Sequence, residues 1–470
     1  MRRVNLVVML LVLGFALGIA SAQTFTTLYR FNGTDGANPA GLVQAINGYL
    51  YGTTQNGTVF KITPTGTFDT TSISCTKGCS GLVGGAIGEY LATLGGGANN
   101  SGTILEIGSN DTLTTLYTFC SQIACEDGST PFALAQGANG NLYGATRSGG
   151  TCCGDTIFKI TPKGTFTTLY NSCVEAGCPT GPSGLVQAAN GDFYGTTQQG
   201  GSQLCPGGCG TVFKMTPGGT FTTIYDFCAQ TDCPAGNPYP AGALVQATNG
   251  YLYGTTNSGG AYGEGSVFKI TPTGTFTTLY SFCADEFCSD GGKPTAGLVQ
   301  ATDGNLYGTT TWGGLYGPGS VGTIFKITPE GTLTTIYNFC QGGCADGEYP
   351  QAGLIQGTDG NLYGTTIYGG TFGSGAGQSG WGTVFKLSIG LGPFVETRPS
   401  IGVVGEVVAI LGYGLKGATG VMFNGIPATI LYAAPTVIYA RVPAGATTGK
   451  VQVVTPSGTL TSNVVFEVAP

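Results

Sequence analysis

One pentapeptide recurs along this chain and constrains its fold more than any other feature. Leu-Tyr-Gly-Thr-Thr or a near copy occurs six times, at residues 50–54, 142–146, 193–197, 252–256, 306–310 and 362–366. Each copy lies in a longer unit: a TFTTLYxF block, a variable loop, GLVQA, Asn-Gly or Asp-Gly, the pentapeptide, a Gly-rich loop and GTVFKITPxG. The TFTTLYxF block begins at 24, 67, 112, 165, 220, 275 and 332, which gives seven units. In the second unit, YLATL (90–94) takes the place of the pentapeptide and ILEIG (104–108) replaces VFKIT.

Each unit contains four strand-like runs. Asn-Gly or Asp-Gly separates the second run from the third, and this dipeptide is the strongest short hairpin signal because both residues tolerate positive φ. The TPxG segment forms a second tight turn that leads into the next unit. Four antiparallel strands repeated about every fifty residues are typical of a propeller blade. The sequence therefore predicts an all-β protein with a seven-bladed β-propeller over residues 23–390.

The two ends of the repeat region predict how the ring closes. The last unit stops after TVFKLS (383–388) and lacks a following TFTTLYxF block, which the chain has instead at residues 24–31. We therefore expect residues 24–31 to form the outer strand of the seventh blade, with GLVQA innermost and the pentapeptide Tyr packed between blades. Because the strands alternate in direction, the tight turns share one face and the long loops share the other. Binding residues are over-represented on loops that a rigid scaffold holds.

The first 22 residues have the composition of an export signal. Arg2 and Arg3 precede an apolar run that ends in Ala20-Ser21-Ala22, a small-x-small cleavage pattern. We predict a signal peptide at residues 1–22 and a chain that is secreted or held at the cell surface; an uncleaved N-terminal anchor is the alternative. The run is short for a membrane span, and no later segment is apolar enough, so we expect no transmembrane segment after signal cleavage.

The charged residues exclude several classes of function. Without Arg2 and Arg3, 15 Lys and Arg face 24 Asp and Glu, a formal net charge of −9, so the chain lacks the basic surface that a nucleic-acid partner needs. The sequence has no His, which excludes Ser-His-Asp hydrolysis and His acid–base catalysis. We predict no cofactor and no metal site, and we leave calcium binding open.

Most of the sixteen cysteines fall in close pairs. In an exported chain such pairs favour disulfides, which here close small loops and stiffen them. Zinc binding is the alternative reading, but pairs in different repeats would be separated in space. Cys152 and Cys153 are adjacent, and their pairing is left open. The predicted disulfides are Cys75–Cys79, Cys120–Cys125, Cys173–Cys178, Cys205–Cys209, Cys228–Cys233, Cys283–Cys288 and Cys340–Cys344.

After the repeats, residues 394–470 form short alternating runs separated by Gly and Pro, which indicates a small β-sandwich. GATGVMFNGIPA, VPAGATTGKVQVVTPSG and SNVVFEV within it closely resemble the IPT/TIG family of immunoglobulin-like domains. The resemblance covers the whole segment. It implies a spacer or protein-interaction module; relatives in transcription factors bind DNA, a role that an exported acidic chain does not favour.

Units six and seven contain almost the whole pattern DGNLYGTT, a Gly-rich loop, GTVFKITP and TTLYxF. Over residues 24–390 the chain resembles the GloVer-type tandem repeats of secreted bacterial proteins. The resemblance implies export and no particular activity. That family has varied C-terminal surface anchors, whereas here no hydrophobic sorting tail follows the sandwich before Pro470, so the mode of anchoring is left open.

Acid–base chemistry in this chain would need carboxylates, as in glycosidases and lyases. Asp35, Asp127, Asp290 and Asp346 precede GLVQA in similar Asp-Gly turns. Their repetition in several blades favours a structural turn over catalysis or ion binding. The Gln of GLVQA either lines a central channel or hydrogen-bonds neighbouring inner strands; its copies are Gln44, Gln136, Gln187, Gln246, Gln300 and Gln356.

The aromatic residues of the Gly-rich loops depart from the repeat. Both tryptophans of the chain lie in these loops, in adjacent units. Such side chains either stack on sugar rings or anchor a protein partner, or they fold onto the rim of their own blades. The candidates for ligand binding are Tyr262, Trp312, Tyr316, Tyr368, Phe372 and Trp381.

With no catalytic set assigned, the favoured function is a non-catalytic extracellular binding or adhesion module for a glycan or protein, acting through the long-loop face. The alternatives are a carbohydrate-active enzyme, a glycosidase or lyase, that uses Asp or Glu on the same face, and a purely structural cell-surface protein. The identity of the ligand and the oligomeric state are left open.

Overall fold

The computed structural model describes residues 23–75, 77–85, 88–97, 99–108, 111–151, 154–172, 179–201, 208–228, 238–315, 321–340, 343–370 and 380–469. The predicted signal peptide, and with it the cleavage site, lies outside these residues. Within them the regular secondary structure is almost entirely strand, connected by turns and loops. The sole helical turn there is Ile123–Cys125, so the described part contains no helix long and apolar enough to cross a membrane.

Seven four-stranded antiparallel sheets form the predicted seven blades. In each blade the GLVQA strand is first in the order, followed by the pentapeptide strand, the VFKIT strand and the TFTTLY strand. Blades 1 to 3 consist of β2 Pro39–Gln44, β3 Leu50–Thr54, β4 Thr58–Ile62, β5 Phe68–Ser74; β6 Cys79–Gly84, β7 Glu89–Thr93, β8 Thr103–Ile107, β9 Leu113–Thr118; β10 Ser129–Gln136, β11 Leu142–Ser148, β12 Thr156–Ile160 and β13 Phe166–Asn171.

The remaining blades repeat this order, and the seventh takes its outer strand from the start of the chain. Blades 4 to 7 consist of β14 Thr180–Gln187, β15 Phe193–Gln199, β16 Thr211–Met215, β17 Phe221–Asp226; β18 Pro240–Gln246, β19 Leu252–Thr256, β20 Ser266–Ile270, β21 Phe276–Ser281; β22 Val299–Gln300, β23 Leu306–Thr310, β24 Thr323–Ile327, β25 Leu333–Asn338; and β26 Ile355–Gln356, β27 Leu362–Thr366, β28 Thr383–Ser388 with β1 Thr24–Arg30.

The predicted closure of the ring is confirmed. Strand β1 pairs antiparallel with β28, and Phe25 lies opposite Leu387 while Thr27 lies opposite Phe385. Phe25 also stacks on Tyr337 of blade 6, with ring centroids 4.0 Å apart. The first strand of the chain therefore completes blade 7 and packs against its neighbour, so the ring of sheets has no open end.

The pentapeptide Tyr packs between blades, as predicted. Tyr253 of blade 5, for example, is fully buried in a cluster with Leu306 and Phe325 of blade 6. Tyr363 of blade 7 similarly packs against Leu50 of blade 1 across the closure. A cluster of this kind lies at each of the seven junctions, so the hydrophobic core of the propeller is a ring of interfaces between sheets.

The Gly of the pentapeptide has a steric role. A Cβ added to Gly308 would lie 2.6 Å from Cζ of Phe325, its partner on the VFKIT strand. The other intact copies place the same added Cβ 2.3–2.6 Å from the equivalent Phe ring. The Phe ring of VFKIT therefore occupies the space that a side chain at the Gly position would need, which links two motifs that lie 8 to 21 residues apart in the intact units.

The Gln of GLVQA joins neighbouring blades. The Gln300 side-chain oxygen accepts a 2.8 Å hydrogen bond from the Thr248 backbone N–H of blade 5, and its amide donates to Gly304 O in its own hairpin turn. Equivalent bonds join five junctions, through Gln187, Gln246, Gln300, Gln356 and Gln44. Of the two roles considered from the sequence, the structure gives these copies hydrogen bonding between inner strands.

The strand of blade 2 that replaces the pentapeptide is EYLAT (89–93), one residue earlier than the alignment predicted. Tyr90 pairs with Glu106 as Tyr307 pairs with Lys326, which fixes the register. Leu91 then stands at the Gly position and pairs with Leu105 at the Phe position. The sequence alignment was wrong because it matched apolar residues and overlooked this exchange of Gly and Phe for two Leu residues.

Residues 395–468 form the predicted immunoglobulin-like sandwich. Its sheet order is β29-β31-β34-β33-β32-β35-β36-β30, and β29 also pairs with β36, so the sheet curls onto itself around one apolar core. Its strands are β29 Val395–Arg398, β30 Ile401–Gly402, β31 Val407–Gly412, β32 Gly420–Phe423, β33 Ile426–Ala433, β34 Val437–Arg441, β35 Gly449–Thr455 and β36 Gly458–Val468.

The sandwich packs on the tight-turn face of the propeller, at blades 7, 1 and 2. Ile46, in the hairpin turn of blade 1, contacts a cluster formed by Ala409, Leu411 and Val437 of the sandwich. Thr436 Oγ1 donates a 3.1 Å hydrogen bond to Ile46 O, and Phe394 N–H donates to Thr358 O of blade 7 at 3.0 Å. The opposite face of the propeller, which carries the long loops, is therefore not covered by these contacts.

Four of the predicted disulfides are present: Cys75–Cys79, Cys120–Cys125, Cys283–Cys288 and Cys340–Cys344. Cys209 and Cys228 are also disulfide-bonded. Their predicted partners Cys205 and Cys233, the predicted pair Cys173–Cys178, and Cys152 with Cys153 lie outside the described residues. In the four described bridges the zinc alternative is excluded, because a disulfide sulfur is not a thiolate ligand.

Candidate functional site

The long-loop face begins at the Asp-Gly turns that precede the inner strands. Asp290 accepts a 2.7 Å hydrogen bond from the Tyr280 hydroxyl and further bonds from the Cys283 backbone N–H. Tyr29 with Asp35, Tyr117 with Asp127 and Tyr337 with Asp346 repeat the arrangement. Each of the four carboxylates is thus engaged in shaping its own loop, which supports the structural role for these aspartates over the catalytic one.

The residue before the first Pro of each Asp-Gly loop has an unusual backbone. Asn38, Thr130, Lys293 and Tyr349 occupy equivalent positions, and all four have φ between 52° and 57°. Each N–H donates to a carbonyl in the Gly-rich loop of the preceding blade, as Lys293 does to Glu264 O at 2.7 Å. Non-Gly residues are uncommon in this left-handed region, and they concentrate at functional sites. The backbone is repeated here, whereas the side chain differs in every copy.

Blade 6 combines this position with a tryptophan. Trp312 exchanges both backbone hydrogen bonds with Gly292, which fixes the Gly-rich loop against the Asp-Gly loop. A Cβ added to Gly292 would lie 3.2 Å from the indole, so the ring lies partly on this backbone. The Lys293 ammonium lies 5.5 Å from the indole centroid and 3.6 Å from the Glu264 carboxylate of blade 5. Trp312 is therefore half-buried by rim packing, and its remaining surface is bordered by a cation.

Blade 7 has the same framework with different side chains. Glu348 and Tyr368 exchange both backbone hydrogen bonds, as Gly292 and Trp312 do in blade 6. The Tyr349 and Tyr368 rings meet edge to face with centroids 5.9 Å apart, and 38% of Tyr368 is exposed. Burial, with a smaller contribution from Asp346, raises the pKa of Glu348 above its ordinary value. The site thus joins aromatic faces to a carboxyl group that takes up protons more readily than usual.

The other predicted aromatic residues extend this surface to either side. Tyr262 of blade 5 is 54% exposed, and Trp381, which packs against Gly33 of blade 1, is 45% exposed. Tyr316 and Phe372 lie outside the described residues. Sequence reasoning missed Phe287 and Leu315, exposed apolar residues on the same loops, and also Lys293, Glu264, Glu348 and Tyr349. The variable residue before Pro in each Asp-Gly loop was the signal that would have found Lys293 and Tyr349.

Metal chemistry finds little support on this face. The Cys340 and Cys344 sulfurs and a Glu348 carboxylate oxygen lie within 4.8 Å of one another, a grouping that could suit an ion. The two sulfurs are joined in a disulfide, however, so only the carboxylate remains as a ligand.

A cavity of about 240 Å³ lies between the inner strands of blades 1, 2 and 3. Its lining consists of small and aliphatic residues such as Ala40, Gly81 and Leu134, with the hydroxyls of Thr53 and Ser80. The lining contains no carboxylate, so this cavity offers no acid–base pair, and the chemistry-bearing side chains lie on the loops above blades 5, 6 and 7 instead.

Two family models match this chain and together account for both domains. The Gloeobacter/Verrucomicrobia repeat matches at residues 56–238 and 182–397, more than half of the chain. The chain belongs to the Gloeobacter/Verrucomicrobia repeat family. The IPT/TIG domain matches at residues 396–468, the sandwich of this repeat protein. Both resemblances expected from the sequence are confirmed. A comparison of the repeat protein with curated protein sequences found no match.

Solved structures similar to this repeat protein include three with different biology. The extracellular domain of BT4673 from B. thetaiotaomicron has 11% identity and a TM-score of 0.49, with 93% of this chain and 52% of that chain covered. PorZ, a surface component of the type-IX secretion system of Porphyromonas gingivalis, has 13% identity and a TM-score of 0.48, with coverages of 94% and 60%. A luciferin-regenerating enzyme has 11% identity and a TM-score of 0.42, with coverages of 79% and 98%. This chain thus spans about half of the first structure, and none of the three similarities carries an argument about function.

Proposed function

We propose that this repeat protein is exported and acts as a non-catalytic binding module, with its ligand site on the long loops of blades 5, 6 and 7. The observation that carries the proposal is the break in repetition there. The Gly-rich loops of blades 6 and 7 carry Trp312 and Tyr368 at one equivalent position, where blade 5 has Ser258. An aromatic residue at this position is not needed to build a blade, so its presence on two adjacent blades favours a role in recognition.

A glycan is the ligand that this surface fits best. Sugar rings have apolar faces that stack on aromatic side chains, and their hydroxyls bond to charged groups at the edges of the stack. Tyr262, Tyr368 and Trp381 supply exposed rings, and Lys293 and Glu348 lie among them. An extracellular protein remains the alternative ligand, because the exposed Phe287 and Leu315 extend the apolar part of the same surface.

The test is a glycan array and a partner pull-down with the mature chain, followed by matched Tyr variants. Tyr368 and Tyr251 are 38% and 37% exposed, but Tyr251 follows an Asn-Gly turn on the opposite face. Tyr368→Ala should weaken binding about tenfold or more, as loss of one stacked ring does, and Tyr251→Ala should leave it unchanged. Absence of any ligand, or equal losses in the two variants, would contradict the proposal. Trp312→Ala combined with Trp381→Ala should abolish binding.

A carbohydrate-active enzyme remains a second candidate because of one observation. The raised pKa of Glu348 is the property that a general acid needs, and Asp346 lies close enough to contribute to it. Incubation of the chain with polysaccharides, with analysis of the products, distinguishes the two functions. Products that disappear in Glu348→Gln would establish the enzyme, whereas binding without turnover supports the binding module.

A further inference from the structure

Besides the exchange of Gly and Phe for two Leu residues, blade 2 departs from the repeat at two positions that lie near the sandwich. Gly84 stands where six other blades have the Gln of GLVQA. Glu89 stands where those blades begin the pentapeptide with Leu or Phe, and only 3% of its surface is exposed. If blade 2 had accumulated random substitutions, the changes at Gly84 and Glu89 would have no common neighbour. The structure brings them together around a single side chain of the other domain.

That side chain is Arg398, on the first strand of the sandwich. A Cβ added to Gly84 would lie next to its Nη1, so the guanidinium occupies the space that a Gln side chain fills in the other blades. Its Nε donates a 2.8 Å hydrogen bond to Glu396, while Nη1 is buried without a hydrogen-bond partner. One Glu89 carboxylate oxygen, Oε1, is buried and unpartnered in the same way. Among the described residues of this junction, a buried guanidinium nitrogen and a buried carboxylate oxygen are thus both left without a hydrogen bond, and the Arg398 charge acts on the Glu89 carboxyl.

Glu89 also acts on the backbone position that the Gln serves at other junctions. At five other junctions, the Gln oxygen accepts the backbone N–H two residues after the Gln of the preceding blade. In blade 1 that residue is Ile46, and its backbone lies close enough to the Glu89 carboxyl to lower the pKa of that group slightly. The sandwich holds the other side of the same residue, because Thr436 donates to Ile46 O. Ile46 therefore connects the carboxyl of blade 2 with the sandwich.

We propose that blade 2 is specialised as a docking blade, in which Gly84 admits Arg398 and the protonation of Glu89 controls how tightly the sandwich is held on the propeller. This proposal is independent of the ligand on the long-loop face. On this proposal the attachment of the sandwich to the propeller depends on the pH outside the cell, and the sandwich is not a freely mobile spacer.

The direction of the pH response follows from burial. Burial raises the pKa of Glu89 from 4.5 to about 7, and Arg398 and the Ile46 backbone oppose this increase only in part. If undocking exposes the carboxyl to water, its pKa returns toward 4.5, so docking takes up a proton. Docking is then strongest at acid pH, and it weakens as the pH rises through 7. Between pH 6 and pH 8 the docking constant should fall about tenfold.

Other charged and titratable groups face this site, and they define what else must be controlled. The Asp111 carboxylate, in the turn of blade 2, contributes to the raised pKa of Glu89 and is itself held by Lys61 and by the Tyr51 hydroxyl of blade 1. The full set around Glu89 comprises Arg398, Glu396, Asp111, Lys61, Asp69, Tyr51, Tyr90 and Glu106.

The test measures hydrogen exchange of the mature chain at the interface amides of Ile46 and Phe394, from pH 5.5 to pH 8.5. Each value is divided by that of Glu89→Gln at the same pH, because this variant mimics the protonated carboxyl and removes the intrinsic pH dependence of exchange. Relative protection should fall about tenfold from pH 6 to pH 8 at these amides and stay constant in blades 4 to 6. A flat ratio at the interface, or an equal fall in all blades, would overturn the proposal.

Two further variants keep the test decisive. Arg398→Met removes the cation that lowers the pKa of Glu89, so the midpoint of the transition should move to higher pH; a midpoint that stays or moves lower contradicts the proposal. Gly84→Gln restores the side chain of the repeat and should displace Arg398, which exposes Phe394 to exchange at every pH. Its matched control is Gln300→Gly, at a junction without the sandwich, which should leave Phe394 protected.

Discussion

The exchange of Gly and Phe for two Leu residues in blade 2 predicts that the same exchange will work in another blade. In blade 6 the pair is Gly308 and Phe325, and in blade 2 it is Leu91 and Leu105 at the same register. The chain thus fills the same space in two ways. Blade 6 pairs a Phe ring with a Gly, which has no side chain, and blade 2 pairs two Leu side chains of intermediate size. We expect each half of the exchange to destabilise blade 6, and the complete exchange to be tolerated.

The sizes of the effects follow from the contacts. A Cβ at residue 308 would lie 2.6 Å from Phe325 Cζ and 2.7 Å from Leu298 Cδ2, about 1 Å closer than ordinary contact, so Gly308→Leu should cost about 3 kcal/mol by overpacking. Phe325→Leu leaves a cavity at a fully buried ring and should cost about 1.5 kcal/mol. The double variant should cost only about 1 kcal/mol, because the new Leu fills the cavity, which gives a coupling free energy of about 3.5 kcal/mol.

The assay is urea denaturation of the wild type, the two single variants and the double variant, followed by fluorescence of the tryptophans. The reverse cycle in blade 2, Leu91→Gly with Leu105→Phe, is the internal control and should give a coupling of the same sign. If the double variant is destabilised by the sum of the two single changes, the residues do not share one space and the steric reading of the repeat is wrong.

Three further predictions concern other parts of the scaffold. Gln300→Leu removes the acceptor of the Thr248 N–H and should cost about 1–2 kcal/mol, with faster hydrogen exchange at Thr248 and unchanged exchange in blade 2. Burial and the hydrogen bond to Asp127 raise the pKa of Tyr117 to about 12. The stability that this tyrosine contributes is therefore complete below pH 10 and is lost as the pH rises through 12, so Tyr117→Phe should make the free energy of unfolding less dependent on pH in that range, as measured by urea titrations at each pH. The Cys120–Cys125 disulfide closes only a short loop, so its reduction should lower the free energy of unfolding by at most about 2 kcal/mol. Mild reductant should therefore lower the thermal midpoint only slightly, while proteolysis at this loop becomes faster.

The architecture was predictable because the repeats state the same physical constraints seven times. Asn-Gly and Asp-Gly fixed the hairpins, and the missing last block fixed the closure through residues 24–31. The buried Tyr of the pentapeptide also followed, since one ring per unit at a constant distance from the turn must meet the adjacent blade. The copies also resolved ambiguities within a single unit, such as whether a short apolar run is a strand.

The misplaced register of blade 2 has a different cause. Leu91 and Leu105 compensate each other in space, and neither change can be understood from its own segment of sequence. The same holds for Glu89, whose significance depends on Arg398, about three hundred residues later in another domain. Local patterns predict structure where each unit is self-sufficient, and they fail where one residue depends on another that is distant in sequence.

The candidate site was predictable only in part, for a related reason. Trp312, Tyr368 and Trp381 were found because aromatic residues in a Gly-rich loop stand out from the repeat. Lys293 and Tyr349 were not, because the Asp-Gly turn around them appeared to be a repeated structural element, and indeed the aspartates are. Its backbone is repeated, but its left-handed position carries a different side chain in each described copy. A structural turn and a position with a variable side chain, to which we assign binding only as a proposal, therefore lie within three residues of each other.

Departures from the repeat differ between the two faces of the propeller. On the tight-turn face, departures from the repeat are confined to blade 2 and are matched by the sandwich, so the variation there is explained by one intramolecular partner. On the long-loop face, no contact with the sandwich involves the described departures in blades 5, 6 and 7, and in blades 6 and 7 their backbones are held by paired hydrogen bonds between loops. The sandwich therefore leaves uncovered the face on which variable side chains are exposed, and this is the face for which we propose the ligand.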